Sequence, residues 1–175
     1  RALRPCCAAA EAELDASPTP AGAAAEAVIV LAGGGADKDV SAGCTGEDGA
    51  FSAMSTGAVF VDHTTASAEC ARAMAAAATE KGLHFIDAPV SGGEAGALGG
   101  MLTVMCGGDK SAFDTAEPVR QAYAKSVKLL GEVGSGQLTK MANQICIAGI
   151  VQGLAEALHF SMEAGLDAKA VVDVI

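Results

Sequence analysis

The sequence predicts an α/β fold: a mostly parallel sheet, covered on both faces, followed by one long helix. Three observations lead there. Short apolar runs recur along the chain, each closing on glycines or a hydroxyl-bearing turn. Segments with helical spacing separate them, and that alternation is the order of elements that builds parallel sheets. From Ser135 the alternation stops, and a single helical pattern runs to about Ala164.

Taken in order, residues 1–26 are Ala-rich with Pro18 and Pro20 as breakers, and Ser17 or Thr19 suits the cap of a short helix over 21–27. Val28-Ile29-Val30-Leu31 reads as a buried strand that stops at Gly33-Gly34-Gly35. Residues 58–62 repeat the pattern and end in His63-Thr64-Thr65. Ser67 then caps a helix to about Lys81, stopped by Gly82. Residues 83–87 form a third strand, and residues 102–106 a fourth, closed by Gly107-Gly108. A helix over about 110–125 and a fifth strand over 127–130 follow, and a last helix starts near Asp167. Ligands of such sheets sit beyond the carboxyl ends of the strands. Gly33–Gly35, Thr64-Thr65 and Ser91–Gly93 would all occupy that edge. The long helix looks like a link into an all-helical domain, which divides the chain into 1–133 and 134–175.

A chain of 175 residues, half of them apolar, is long enough for one domain with a real core. The net charge of -10 argues against a nucleic-acid partner, because phosphate neutralisation needs clustered Lys and Arg. Cys6, Cys7, Cys44, Cys70, Cys106 and Cys146, with His63, His84 and His159, lack metal-ligand spacing, so no metal is expected. Reduced thiols in a cytosol-like compartment are the better reading. No stretch reaches the roughly 18 to 20 apolar residues of a membrane span, so no membrane partner is expected.

Two segments carry chemistry. Ser91-Gly92-Gly93 follows a strand; its glycines let backbone approach a ligand, and its consecutive amides suit an anion. The alternative is a plain surface turn, against which Gly96, Gly99 and Gly100 extend the loop. Lys140, Asn143 and Gln144 stand at i, i+3 and i+4, on one face of an apolar helix. Desolvation lowers a lysine pKa and fits it for proton transfer; the alternative is a packed stem with its ammonium in water. Gly134-Ser135-Gly136 is a partial phosphate-loop pattern with Thr139 at the third small position, and a Ser135 helix cap is the simpler reading. His63 and His84 read as satisfied or surface residues, and His159 with Glu156 and Glu163 as a solvated helix face.

At these segments the chain resembles the β-hydroxyacid dehydrogenases. The substrate motif of that family looks like Asp87-Ala88-Pro89-Val90-Ser91-Gly92-Gly93, followed by residues 100–109. Its catalytic segment, glycine-rich and then Lys-x-x-Asn-Asn or Lys-x-x-Asn-Gln, is similar to Gly134 through Gln144. The resemblance runs from about Asp15 to the end.

The resemblance implies a Rossmann-type sheet with NAD or NADP as cofactor and a small hydroxy acid or semialdehyde as substrate. Lys140 would be the general acid/base. Ser91, Gly92 and Gly93 would hold the substrate, with Asn143 orienting it and Gln144 beside it. Thr65 matches the family's threonine near the nicotinamide. Leu31 and Ala32 occupy the cofactor-facing strand end, where the family often has Leu-Pro. A homo-oligomer and a cytoplasmic or mitochondrial-matrix location are implied as well. The family's opening strand, Gly-x-Gly-x-x-Gly loop and first βαβ unit have no counterpart here, which reads as a partial Rossmann-like domain. Residues 1–14 match nothing in the resemblance. Two rivals stand beside it: an inactive dehydrogenase-like binding module, and a phosphate-binding protein using Gly134-Ser135-Gly136.

Overall fold

A computed structural model describes residues 17–175 of the chain. The predicted mostly parallel α/β sheet is present. Its parallel part is built from β1 (Ile29–Ala32), β2 (Val59–Asp62) and β3 (His84–Asp87). The register places Ala32, Asp62 and Asp87 side by side, so all three strands end in one row. A short strand β4 (Val90–Ser91) follows Ala88-Pro89. Both β3 and β4 lie antiparallel to β5 (Leu102–Gly108), which pairs in parallel with β6 (Ala124–Leu129). The Met105 N–H donates to the Pro89 carbonyl at 3.0 Å, so pairing continues across the break.

Helices cover both faces because successive strand side chains point to opposite sides. Phe60 and Phe85 face one side, where Phe51, Ala71, Met74 and Ala78 pack. The Phe60 and Phe85 rings stack at 5.8 Å, and Phe51 meets Phe60 edge-on at 5.2 Å. That side carries α2 (Asp37–Thr45) and α3 (Ala68–Glu80). Val59, Val61 and Ile86 face the other side, against Ala112, Phe113 and Ala116 of α5 (Lys110–Gln121). The caps follow sequence chemistry. The Thr19 hydroxyl accepts from Gly22 N–H to start α1 (Pro20–Ala24), Ser67 accepts from Cys70 N–H to start α3, and Asp109 accepts from Ser111 and Ala112 to start α5.

Several expectations need correction. The stretch after Ser91 is not an extended loop, since Gly93–Leu98 form the short helix α4. The helix expected to reach 125 stops at Gln121, and the strand expected at 127–130 is β6, which starts three residues earlier and ends at Leu129. Lys125 and Lys128 are exposed, so half-solvated edge pairing hides the strand from an apolar-run search.

The chain resolves into two compact units, residues up to Lys140 and Met141–Ile175. The helix α6 (Ser135–Glu163) is 29 residues long. The second unit holds its remainder and α7 (Ala168–Val172), which Asp167 caps by accepting from Lys169 N–H. Ile145, Ile147, Ile150, Val151, Leu154 and Phe160 of α6 are all exposed. Contrary to the expectation from uninterrupted runs, α6 is long and apolar enough by length and composition to cross a membrane. An unbroken apolar run is absent because small and neutral polar residues interrupt the helix, whose charged residues are only Lys140, Glu156 and Glu163.

Candidate active site

The row Ala32–Asp62–Asp87 sets the floor of the candidate site: Leu31 and Ala32 end β1, Thr65 follows β2, and the chain after Asp87 leads to Ser91–Gly93. Leu31 is exposed and Ala32 half-buried at the end of β1. Past β2, Thr64 is buried and Thr65 exposed. Thr64 ties two loops together: its N–H donates to Asp62 Oδ1 at 2.9 Å, and its hydroxyl accepts from Gly34 N–H at 2.7 Å.

Asp62 and Asp87 are both buried. Burial pushes the Asp62 carboxyl above its ordinary range, against the hydrogen bonds from Thr64, and the Asp87 charge adds to the rise. Burial also raises Asp87, against backbone N–H bonds from Gly134 and Gln137. A carboxyl whose folded pKa is raised contributes stability present below its unfolded value and lost as pH rises through the folded one. Asp62→Asn keeps an acceptor for Thr64 and removes the buried charge. The variant is therefore expected to gain stability over wild type as pH rises above the ordinary carboxylate range. Urea unfolding at rising pH is the check, and a gap that shrinks with pH counts against it.

Asp87 organises the start of α6. Its Oδ1 accepts from Gly134 N–H at 2.7 Å, and its Oδ2 from Gln137 N–H at 2.9 Å. The first N–H groups of a helix have no partner within it, and here a carboxylate from β3 takes two of them. The Ser135 cap expected from sequence is thus replaced by Asp87. The same bonds count against the phosphate-loop reading, because the amides it needs are already committed. A Cβ on Gly136 would collide with the Met105 carbonyl, so backbone closes that face as well.

Lys140 lies one turn beyond Gln137 and is only 9% exposed. Among the described residues no hydrogen bond or ion pair holds its ammonium. Gln137 is fully buried, and its amide reaches the loop after β2: Nε2 donates to the Thr64 carbonyl at 2.7 Å, and Oε1 accepts from Ala66 N–H at 3.0 Å. Thr65 and Lys140 are thereby joined through one side chain.

Ser91 is half-buried at the end of β4, paired with Thr103. Gly92 has φ 133 and Gly93 φ 60, a left-handed backbone that disfavours other residues. A Cβ on Gly92 would press the Leu102 side chain at 3.1 Å, whereas the space beside Gly93 is open within 4 Å. No hydrogen bond joins Ser91–Gly93 to Lys140 among the described residues. Asn143 and Gln144 belong to the second unit, where Asn143 Nδ2 donates to Gln144 Oε1 at 3.3 Å.

His63 is satisfied, with a partner on each ring nitrogen. Its Nδ1 lies 2.6 Å from the Ala88 carbonyl, which only accepts, so Nδ1 carries the proton and Nε2 accepts from the Tyr123 hydroxyl at 2.8 Å. Burial holds its pKa below the ordinary imidazole range. Sequence reasoning missed the tethering roles of Asp87, Gln137 and His63. A signal for the second was available: a glutamine directly after Gly136, in the first turn of an apolar helix.

Parallel strands ending in one row, with loops leaving their carboxyl ends, are the arrangement in which α/β proteins bind ligands. The comparisons with known proteins agree. Residues 2–131 match the NAD binding domain of 6-phosphogluconate dehydrogenase, and residues 134–175 the NAD-binding domain of NADP-dependent 3-hydroxyisobutyrate dehydrogenase. The chain belongs to the β-hydroxyacid dehydrogenase family, whose cofactor is NAD or NADP. The first match begins at residue 2, so the likeness includes residues 2–14, contrary to the expectation that they match nothing.

The chain is 56% identical over 147 residues to an uncharacterized oxidoreductase of Shewanella frigidimarina, covering 84% of this chain and 50% of that one. It is 39% identical over 122 residues to the 2-hydroxy-3-oxopropionate reductase of Escherichia coli, covering 70% and 42%. A solved structure of Mycobacterium tuberculosis 3-hydroxyisobutyrate dehydrogenase with L-serine has a TM-score of 0.80 and 35% identity, covering 89% of this chain and 52% of that one. The chain spans about half the length of the curated relatives it matches.

Proposed function

We propose that this chain is part of an NAD(P)-dependent oxidoreductase that interconverts a small 3-hydroxy acid and its semialdehyde, with Lys140 as general acid/base. The observation that carries this reading is the uncommitted, 9% exposed Lys140, held one turn past a helix start that Asp87 and Gln137 fix to the strand edge. Residues 1–133 would form the cofactor domain and 134–175 the start of a helical one.

The residues present fit the nicotinamide end of the cofactor. Leu31, Ala32 and Thr65 line the strand edge, and a Cβ on Gly33 would meet nothing within 4 Å. When bound, NAD(P) supplies or takes the hydride. On oxidation the alcohol O–H bond breaks and Lys140, as a neutral amine, takes the proton. On reduction the Lys140 ammonium returns it to the carbonyl oxygen. Ser91 and the amides of Gly92 and Gly93 would hold the substrate carboxylate and hydroxyl, with Asn143 orienting it and Gln144 beside it. Donors fixed in this way would need no rearrangement as charge develops.

The substrates named for the relatives set the test. 2-Hydroxy-3-oxopropionate, 3-hydroxyisobutyrate and L-serine share a carboxylate and an oxidisable or reducible C3 oxygen. A panel of these with succinic semialdehyde, run with both cofactors on the full-length protein, is expected to show turnover with at least one 3-hydroxy acid or its semialdehyde. Cofactor binding without turnover of any of them would instead favour the inactive binding module.

A further inference from the structure

We propose that Gln137 is a positioning residue: its side-chain amide clamps the Thr64–Ala66 segment and so sets the placement of Thr65 relative to Lys140. The inference rests on the function proposed above.

Two hydrogen bonds run from one planar amide to the carbonyl before Thr65 and the N–H after it. An amide carries a donor and an acceptor at fixed separation, which matches peptide groups flanking a single residue. No similar side chain offers that pair at this reach. Asparagine is one carbon too short, ionised glutamate has no donor, and methionine has neither group. The clamp is dry, since Gln137 is fully buried, so each bond is costly to leave unmade. Thr65 itself is exposed, free to face a ligand while its neighbours are held.

The same residue is fixed from its other side. The Gln137 backbone N–H donates to Asp87 Oδ2, and Thr64 in turn holds Gly34 through its hydroxyl. The chain of contacts Gly34–Thr64–Gln137–Asp87 therefore joins the ends of β1, β2 and β3 to the turn that precedes Lys140. A purely structural glutamine would need only some partner for each polar atom. Here both partners flank one exposed residue at the proposed cofactor edge. Hydride and proton transfer require the two reacting groups to stay aligned, and a displacement of about 1 Å can cost on the order of 100-fold in rate.

The test uses Gln137→Met, which keeps length and removes both bonds, and Gln137→Glu, which keeps size and loses the donor, in the full-length protein. The expected result for Gln137→Met is a kcat lower by about 10- to 100-fold. KM for the hydroxy acid should change by less than about 3-fold, because the substrate cradle is elsewhere. The deuterium isotope effect on kcat, with the label at the carbinol carbon, should rise as hydride transfer becomes limiting. Gln137→Glu should lie between Gln137→Met and wild type. A role confined to folding lowers the active fraction alone and leaves the isotope effect where it was; that outcome, or a kcat within about 3-fold of wild type, overturns the proposal. Amide exchange at Ala66, which needs no activity, should quicken in Gln137→Met while that of Val61 and Ile86 stays slow. An inactive wild type overturns the function and the positioning role together, and the exchange result then shows whether the clamp exists without it.

Discussion

Replacing Lys140 by Met is expected to lower kcat by about 100- to 10,000-fold, the range typical of losing a positioned acid/base group. Cofactor affinity should change little. The substitution isolates the proton because Met has nearly the reach of Lys and suits a site that is 9% exposed. It breaks no hydrogen bond or ion pair among the described residues. A second variant separates proton transfer from charge. Lys140→Arg keeps a cation in the same place, but guanidinium does not release its proton. A relay therefore fails in both variants, whereas a lysine that merely attracts the carboxylate survives as Arg. Single-turnover rates for the two, with cofactor titration as the control, decide it. Lys140→Arg turning over within about 10-fold of wild type would remove Lys140 from the proton path.

Lys140 and Ser91–Gly93 were legible in the sequence because their chemistry is written locally, in a residue type and its immediate neighbours. The same is true of the central strands: Val59-Phe60-Val61 and Phe85-Ile86 are buried on both faces, so they read as unbroken apolar runs. Ser67 announced its helix by capping it. Elements lacking such signals went unseen. The helix α2 buries only Val40 and Cys44 of its nine residues, so little periodicity shows. The helix α4 is four-sixths glycine and alanine, which looks like loop. Within the site, the roles of Asp87 and Gln137 depend on partners 47 to 73 residues away in the chain. No local pattern holds that information. Asp87 read simply as the end of a strand, and Gln137 as one more polar residue after a glycine turn.

Asp87→Ala is expected to destabilise the first unit by about 2 to 4 kcal/mol. Two opposed contributions set its size. Hydrogen bonds to a charged acceptor contribute roughly 1.5 to 3 kcal/mol each, and leaving a buried N–H unpaired costs about 1 to 3 kcal/mol. Both the Gly134 and Gln137 amides lose their acceptor in this variant. Against this stands the cost of burying the carboxylate, whose raised pKa shows that burial outweighs the hydrogen bonds in setting its proton affinity. Removing Asp87 recovers that cost, so the net loss falls below the sum of two broken bonds. The proton linkage gives the sign of the pH dependence. Because the folded pKa is raised, the Asp87 contribution is fully present below the ordinary carboxylate range and declines as pH rises through the folded value. The gap between wild type and Asp87→Ala should therefore be widest in mild acid and narrow toward neutral pH. Urea unfolding at several pH values measures it, and a gap that widens with pH would mean that the ionised, doubly hydrogen-bonded form is the more favourable one. The variant also bears on activity. Freed from β3, the start of α6 is held to the strand edge by Gln137 alone, so Lys140 loses one of its two anchors. Turnover per folded molecule should fall in Asp87→Ala, and further in Asp87→Ala/Gln137→Met than either loss predicts separately, because the two bonds restrain one helix turn.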